Sequence, residues 1–405
     1  MSRLIKQIPQ VVIFLETAIK TNRDFLRGIL RYVRINNPWS IHLFEGRRDE
    51  YRPLTISKRD INGVIGTTAM SDVHKLLAGT KMHAVLFDSN DTAELPTPLG
   101  QYSTIKCDSV AVGCVAANYL MEHGLEHFAY VGETFRKQWS EDRRLTFEST
   151  LQRSGMSCHT YTGSRYTDDI ARAQNELVHW LRTLPKPIGI FAAMDVVGRQ
   201  IINACRRASI NVPHEVIVLG VDNDELLCEA CYPALSSILM DTEEIGFQAA
   251  ELLDRLMKRQ TRKSTTLTYG PKAVISRRST DSRLCCDSLV SKALDFIWIN
   301  AGKPMCIQEI ADSLDVSRRT LELRFLAATE HTILQELIRV RLQRVCSLLL
   351  TTDLSVAEIS EMSGFSSGSY LGLVFKNAYG LTMSEYRNSP SANSGAITCT
   401  TDYLK

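Results

Sequence analysis

At 405 residues, with 44% hydrophobic and 23% charged side chains, the chain is too long for one ordinary core and is expected to form two or three packed units; disordered and fibrous classes are excluded. A net charge of +2 excludes inferring nucleic-acid affinity from bulk electrostatics. The 11 cysteines are an odd number and no export signal accompanies them, so reduced thiols in a cytoplasm are expected rather than a disulfide framework.

In chain order, the first apolar run is residues 11–15, ending at Glu16. It is too short for a signal core or a membrane span, so a buried strand is expected. Similar runs recur at 41–44, 63–66, 84–87, 128–131, 188–192 and 216–221. Between them, residues 23–36 place Phe25, Ile29, Tyr32 and Val33 on one helical face, and 109–123 do so with Val112, Val115, Ala116, Tyr119 and Leu120. Strands alternating with such helices imply parallel sheets covered on both faces.

Sheets of this kind take ligands beyond the carboxyl ends of their strands. The polar residues there are Asp88 after 84–87, Asp195 after 188–192, and Asp222, Asn223 and Asp224 after 216–221. Carboxylates, amides and guanidinium groups suit a ligand dense in hydroxyls, and an aromatic face suits a sugar ring. Trp139 and Arg143, four apart at a helix start, offer that face and a fork of donors. Asp195 and Asp222 read equally well as turn or N-cap residues. Cys228 and Cys231 form one CxxC, but no second pair or nearby histidine completes a zinc set, so neither metal nor cofactor is expected. Cys285 and Cys286 fall in a predicted linker as incidental thiols.

DSVAVG at 108–113, ANYL at 117–120, Gly124, His127, FAYVG at 128–132, Val212 and Pro213, GVDN at 220–223, Pro233, LSSI at 235–238 and Gly246 together resemble the ligand-binding domain of the lactose-repressor type. The resemblance spans roughly residues 10–280. It implies two Rossmann-like lobes of periplasmic-binding-protein type, a sugar-sized cleft between them, and crossovers near Asp108, Ser237 and Thr265. Arg143, Asp195 and Asp222 match positions that contact ligand in that family.

The last hundred residues carry a helical pattern. Ile307, Ile310, Ala311 and Leu314 share one face; Asp315 and Val316 then break the period, and Ser317 is placed to cap a new helix. On that helix Leu321 and Phe325 point inward, and Arg318, Arg319, Glu322 and Arg324 outward. This is a helix-turn-helix, whose second helix presents its amino-terminal residues to base edges. Forty-nine residues on, Ile359, Ser360, Gly364, Phe365 and Ser366 repeat Ile310, Ala311, Asp315, Val316 and Ser317, and the helix runs through Tyr370, Leu371, Val374 and Phe375 to Lys376. Residues 333–350 form one long helix anchored by Leu337, Val340, Leu348 and Leu349. It would hold the two units about one DNA turn apart, roughly 34 Å. Residues 287–387 carry ten Lys and Arg against twelve Asp and Glu. Attraction to phosphate must therefore come from clusters such as Arg318, Arg319 and Arg324, or Arg339, Arg341 and Arg344.

This pattern, over residues 289–387, resembles the DNA-binding domain of AraC-type regulators, with Asp315 and Glu330 standing where the family has glycine. Gly368 and Gly372 weaken the second recognition helix. The first unit is therefore expected to read bases, and the second, through Ser367, Ser369, Tyr370 and Lys376, mainly to contact phosphates.

A sensor of the one type followed by a DNA-binding domain of the other resembles a family of bacterial pentose-responsive operon regulators, and RRSTD at 277–281 resembles its junction. The resemblance implies a sensor domain at 1–279, a linker at 280–288, an all-α domain with two helix-turn-helix motifs at 289–387, and a disordered tail at 388–405. A small sugar, a pentose such as xylose, would bind Trp139, Arg143, Asp195 and Asp222 with Arg23 and Asp88. A cytoplasmic homodimer would then bind promoter DNA, with RNA polymerase as a partner for an activator and no membrane association. Two other classes compete. A sugar-binding transport component needs an export signal and no helix-turn-helix. An enzyme could use Asp195 and Asp222 as an acid/base pair, but no nucleophile motif, phosphate loop or metal set accompanies them.

Overall fold

The computed structural model describes residues 8–36, 38–45, 57–68, 70–78, 80, 82–87, 102–133, 138–163, 170–261, 263–281 and 287–388. Contacts divide the chain into a first unit of residues 1–115, 132–150 and 240–271 and a second of 116–131, 151–239 and 272–405.

The first unit is built on a six-stranded sheet of order β11-β5-β4-β3-β1-β2. Its strands are β1 (Gln10–Phe14), β2 (Ser40–Phe44), β3 (Gly63–Thr67), β4 (His83–Phe87), β5 (Ser103–Cys107) and β11 (Thr266–Tyr269). All adjacent pairs are parallel, with Val12 opposite His42 on one side and Val64 on the other. After Gln10 the first strand is apolar throughout because both sheet faces are covered. Val11, Ile13 and Leu15 pack with Phe25 and Ile29 of α1 (Lys20–Ile35) and Ala249 and Leu253 of α8 (Thr242–Met257). Val12 and Phe14 pack with Val73 and Leu76 of α2 (Ser71–Leu77). Helices α1 and α8 cross backbone to backbone: a Cβ on Gly28 would lie 1.9 Å from the Glu243 carbonyl, and one on Gly246 would lie 2.2 Å from that of Phe25. No other residue type permits that approach.

The second unit holds a sheet of order β12-β10-β9-β8-β6-β7. The strands are β6 (His127–Val131), β7 (Cys158–Thr160), β8 (Ile188–Ala192), β9 (Val216–Val221), β10 (Ser236–Met240) and β12 (Pro271–Ile275). Its core joins Ile188, Ile190 and Val218 to Leu177 and Leu181 of α5 (Ile170–Thr183) and Val197 and Ile201 of α6 (Asp195–Ala208). The chain passes between the sheets three times, as the resemblance implied: after β5, after β10 and between β11 and β12.

Among the described residues seven helices follow: α9 (Ser288–Asn300), α10 (Ile307–Ser313), α11 (Arg318–Thr329), α12 (Ile333–Thr351), α13 (Val356–Met362), α14 (Gly368–Tyr379) and α15 (Met383–Asn388). They make two cores that share α12. Ile333, Leu337 and Val340 pack against Ile310, Leu321 and Phe325, whereas Ile338, Leu342, Val345 and Leu349 pack against Ile359, Leu371 and Phe375. One helix thereby ties both helix-turn-helix units together. Capping boxes at Thr332 and Gln335 and at Ser355 and Glu358 fix where α12 and α13 begin.

The repeat differs from the expected register in one respect. Ser317 caps α11 by accepting from the Thr320 amide, but the cap of α14 is Ser367, which accepts from Tyr370, not Ser366. The spacing lengthens by one residue after Phe365, so Leu321 and Phe325 correspond to Leu371 and Phe375. Asp315 and Glu330 adopt left-handed backbone, φ 53° and 60°, as do Gly364 and Gly380, φ 72° and 71°. The first unit therefore keeps the turn geometry without glycine, at a cost of about 1 kcal/mol per residue. Among the described residues no helix is long and apolar enough to cross a membrane. Cys285, Cys286 and the predicted tail beyond Asn388 lie outside the described residues.

Candidate functional site

At the carboxyl ends of β8 and β9 the second unit gathers a buried polar cluster. Asp195 opens α6 yet does not cap it: the N-cap is Met194, whose side chain makes no capping bond. The Asp195 carboxylate instead accepts from the Ser237 hydroxyl at 2.5 Å and from the Asp224 amide at 2.7 Å. The Cys228 thiol donates to it as well. Asp195 is therefore not the N-cap of its helix, and its oxygens tie together three segments distant in sequence. Ser237 also accepts from the Asn223 amide at 2.9 Å. Room for the carboxylate depends on Gly220, where a Cβ would stand 2.3 Å from Asp195 Oδ1.

Asp222 and Asn223 are non-glycine residues with left-handed backbone, φ 101° and 50°. Such strain costs of order 1–3 kcal/mol per residue and persists at ligand sites because the surroundings over-determine it. Here the ties are Asp222 N–H to the Ile238 carbonyl at 2.9 Å and the Asn223 bond to Ser237. Asn223 is fully buried and its Oδ1 has no protein partner, which leaves an acceptor for a ligand hydroxyl. Sequence reasoning named Asn223 only as a polar neighbour and missed Ser237, Cys228 and Gly220; the GVDN and LSSI stretches were the available signal.

Burial, reinforced by the Asp222 charge, raises the Asp195 carboxyl from 3.8 to about 8, against the opposing bonds from Ser237 and Asp224. The folded chain therefore holds a proton that the unfolded chain releases between those two values, and stability falls as pH rises through that window. Thermal unfolding of the ligand-free chain is expected at progressively lower temperature from about pH 5 to pH 8 on this account. Asp195→Asn should flatten that part of the profile, and an identical slope in the variant would assign it to other groups.

In the first unit, Trp139 and Arg143 lie on α4 (Gln138–Arg153). Arg143 is 5% exposed, its guanidinium 4.7 Å over the Trp139 ring and 3.7 Å from Cys107 Sγ. One face of Trp139 is thus occupied by Arg143, so the ring orients the arginine instead of offering that face to a sugar. Arg23 donates to the Thr17 and Ala18 carbonyls at 2.8 and 2.9 Å, fixing the turn before α1. Asp88 lies outside the described residues.

The two recognition helices expose a different set. Arg318 and Arg319 are exposed at the start of α11, and Arg318 pairs along the helix with Glu322 at 2.8 Å. Arg324 is held at 2.5 and 2.7 Å by both oxygens of Asp287, which also caps α9, so its fork is used within the protein. Ser317 and Ser367 act as helix caps. Ser369, Tyr370 and Lys376 are exposed, and Tyr370 lies 6.1 Å from the Phe365 ring.

The expected cluster of Arg339, Arg341 and Arg344 does not form a phosphate-facing patch. Arg339 is buried against Asp281 and Glu336. Arg341 donates to the Ala301 and Lys303 carbonyls at 2.9 Å. Of the three only Arg344 is exposed. Nearness in sequence made them a cluster, but two of the three, Arg339 and Arg341, are engaged by other segments of the chain.

Two family models match this chain, a periplasmic binding protein-like domain over residues 117–280 and a helix-turn-helix domain over 310–389. The xylose operon regulatory protein of Haemophilus influenzae is 32% identical over 372 residues, covering 90% of this chain and 95% of that protein. Its counterpart in Escherichia coli K12 is also 32% identical, covering 91% and 94% respectively. A solved structure of a xylose-binding transcription activator superposes with a TM-score of 0.67 at 29% identity, over 96% of this chain and all of that one.

Proposed function

The chain belongs to the family of the xylose operon regulatory proteins, and from that premise we propose that it is a sugar-responsive, DNA-binding transcription regulator whose effector is xylose or a related pentose. One observation carries the sugar half of this reading. Asp222 and Asn223 are locked in strained backbone at the carboxyl end of a parallel sheet, with a buried amide oxygen left for a ligand. Asp222, half-buried beside the engaged Asp195, and Asn223 Oδ1 would accept sugar hydroxyls.

Asp195 has both oxygens committed to protein donors. That ties Asp195 into the protein framework, and the relatives are regulators, so binding is favoured over glycoside chemistry. A sugar that binds one conformation better than another shifts their balance by that difference in affinity and no more. The shift would act on promoter DNA through a cytoplasmic homodimer, with RNA polymerase as partner where the outcome is activation.

Calorimetric titration with xylose, arabinose, ribose and glucose tests the proposal, alongside gel shifts on the regulator's own upstream DNA. Xylose is expected to bind most tightly and to change DNA affinity. Silence toward all four sugars would overturn the effector class.

A further inference from the structure

The stretch that follows β12 is a set of buried fasteners. The short 3-10 turn Arg278–Thr280 is locked to the sugar-site sheet: Ser279 Oγ donates to the Val218 carbonyl at 2.6 Å, and the Ser236 amide donates to Ser279 Oγ at 2.8 Å. Ser236 and Thr280 share a hydroxyl contact at 2.7 Å, and Tyr119 adds another to Thr280 at 2.8 Å. Ser236 directly precedes Ser237, the donor to Asp195. Glu229 of α7 (Glu225–Glu229), just after Asp222 and Asn223, also pairs with Arg277 at 2.8 Å, but its side chain is largely exposed and the pair adds little.

On its other side the turn grips the DNA-binding helices. The Asp281 carboxylate accepts from Arg339 of α12 at 2.6 and 2.8 Å and from the indole N–H of Trp298 of α9. Arg339 also holds Glu336 at 2.6 Å, and all three charged side chains are nearly excluded from water. Burial opposes the Arg339 charge, but the two carboxylates outweigh it and keep the guanidinium firmly cationic. Helix α12 is the element shared by both helix-turn-helix cores, so whatever moves Asp281 moves both units together.

We infer that Asp281 and Arg339 are positioning residues that carry sugar occupancy from the Asp222 and Asn223 loop to α12, and hence to DNA affinity. The inference rests on the proposed sugar response. An exposed ion pair would contribute too little to transmit anything, whereas breaking a buried pair leaves a charge stranded, and removing both partners together is close to neutral.

The test uses the full chain, xylose, and a fragment of its own upstream DNA. In wild type the ratio of DNA affinities with and without xylose defines the coupling; a ratio of one there, or no xylose binding, would count against the functional reading and not against the fastener. In the triple variant Asp281→Leu with Glu336→Leu and Arg339→Met, which removes every member of the buried charge cluster, xylose affinity and sugar-free DNA affinity are expected to stay within about threefold of wild type while the coupling ratio falls to within about twofold of one. Trp298→Phe removes one hydrogen bond without stranding a charge and should reduce the ratio partway, which decides the matter if the triple variant does not fold. A ratio unchanged in Trp298→Phe, or in a folded triple variant, would overturn the assignment.

Discussion

Asp195→Ala is expected to lower xylose affinity by at least about a hundredfold, more than any other single change in the second unit. The loss has two sources. Removing the carboxylate leaves the Ser237 hydroxyl, the Asp224 amide and the Cys228 thiol without their acceptor, and each buried polar group so stranded costs about 1–3 kcal/mol. Asp195 also positions Ser237, which bonds Asn223, and the adjoining Asp224 amide, so without it the loop at Asp222 and Asn223 should relax to ordinary backbone and withdraw the Asn223 acceptor. Calorimetry on the variant measures the first effect. Sugar-free DNA binding should persist within a few-fold, because the helix-turn-helix cores contain none of these residues. Near-wild-type xylose binding by Asp195→Ala would remove the cluster from the proposed site.

The second large effect is expected at the start of α11. Arg318→Ala combined with Arg319→Ala should weaken binding to the cognate promoter by about two to three orders of magnitude at fixed salt, since a bidentate base contact is worth about 1–3 kcal/mol. The exposed Arg318 pair with Glu322 offers little resistance to redirection toward DNA, being worth under about 1 kcal/mol. Xylose affinity should not change. Lys376→Ala is expected to act otherwise, lowering affinity evenly across sequences and reducing the salt slope by about one. Full promoter affinity in the double arginine variant would move base reading to another surface.

Chain periodicity determined the alternation of strands and helices and the helix-turn-helix pair, because burial writes itself into local spacing; the division into two lobes came from the family resemblance. Covered strands tend to be continuous apolar runs, and seven were located to within a residue or so; the helix-turn-helix pair followed from apolar positions at intervals of three and four. Strands such as β5, β7, β10 and β11 escaped detection because STIKC, CHT, SSILM and TLTY mix polar and apolar residues. Their strand character comes from pairing with neighbours far along the chain. Signals for α12 and α13 were present but unused: threonine or serine followed three residues later by Gln335 or Glu358 marks a capping box.

Charge partners are where tertiary structure alone decided. Arg324 and Arg339 each belong to an arginine cluster in the sequence, yet Asp287, 37 residues away, holds one and Asp281, 58 residues away, holds the other. Asp195 and Asp222 are both strand-end aspartates in the sequence, yet one is fully engaged by protein donors and the other stands on strained backbone. Hydrophobic burial acts on each residue by itself and leaves a periodic trace. An ion pair or hydrogen bond depends on which two segments the folded chain brings within about 3 Å, and no local pattern records that meeting.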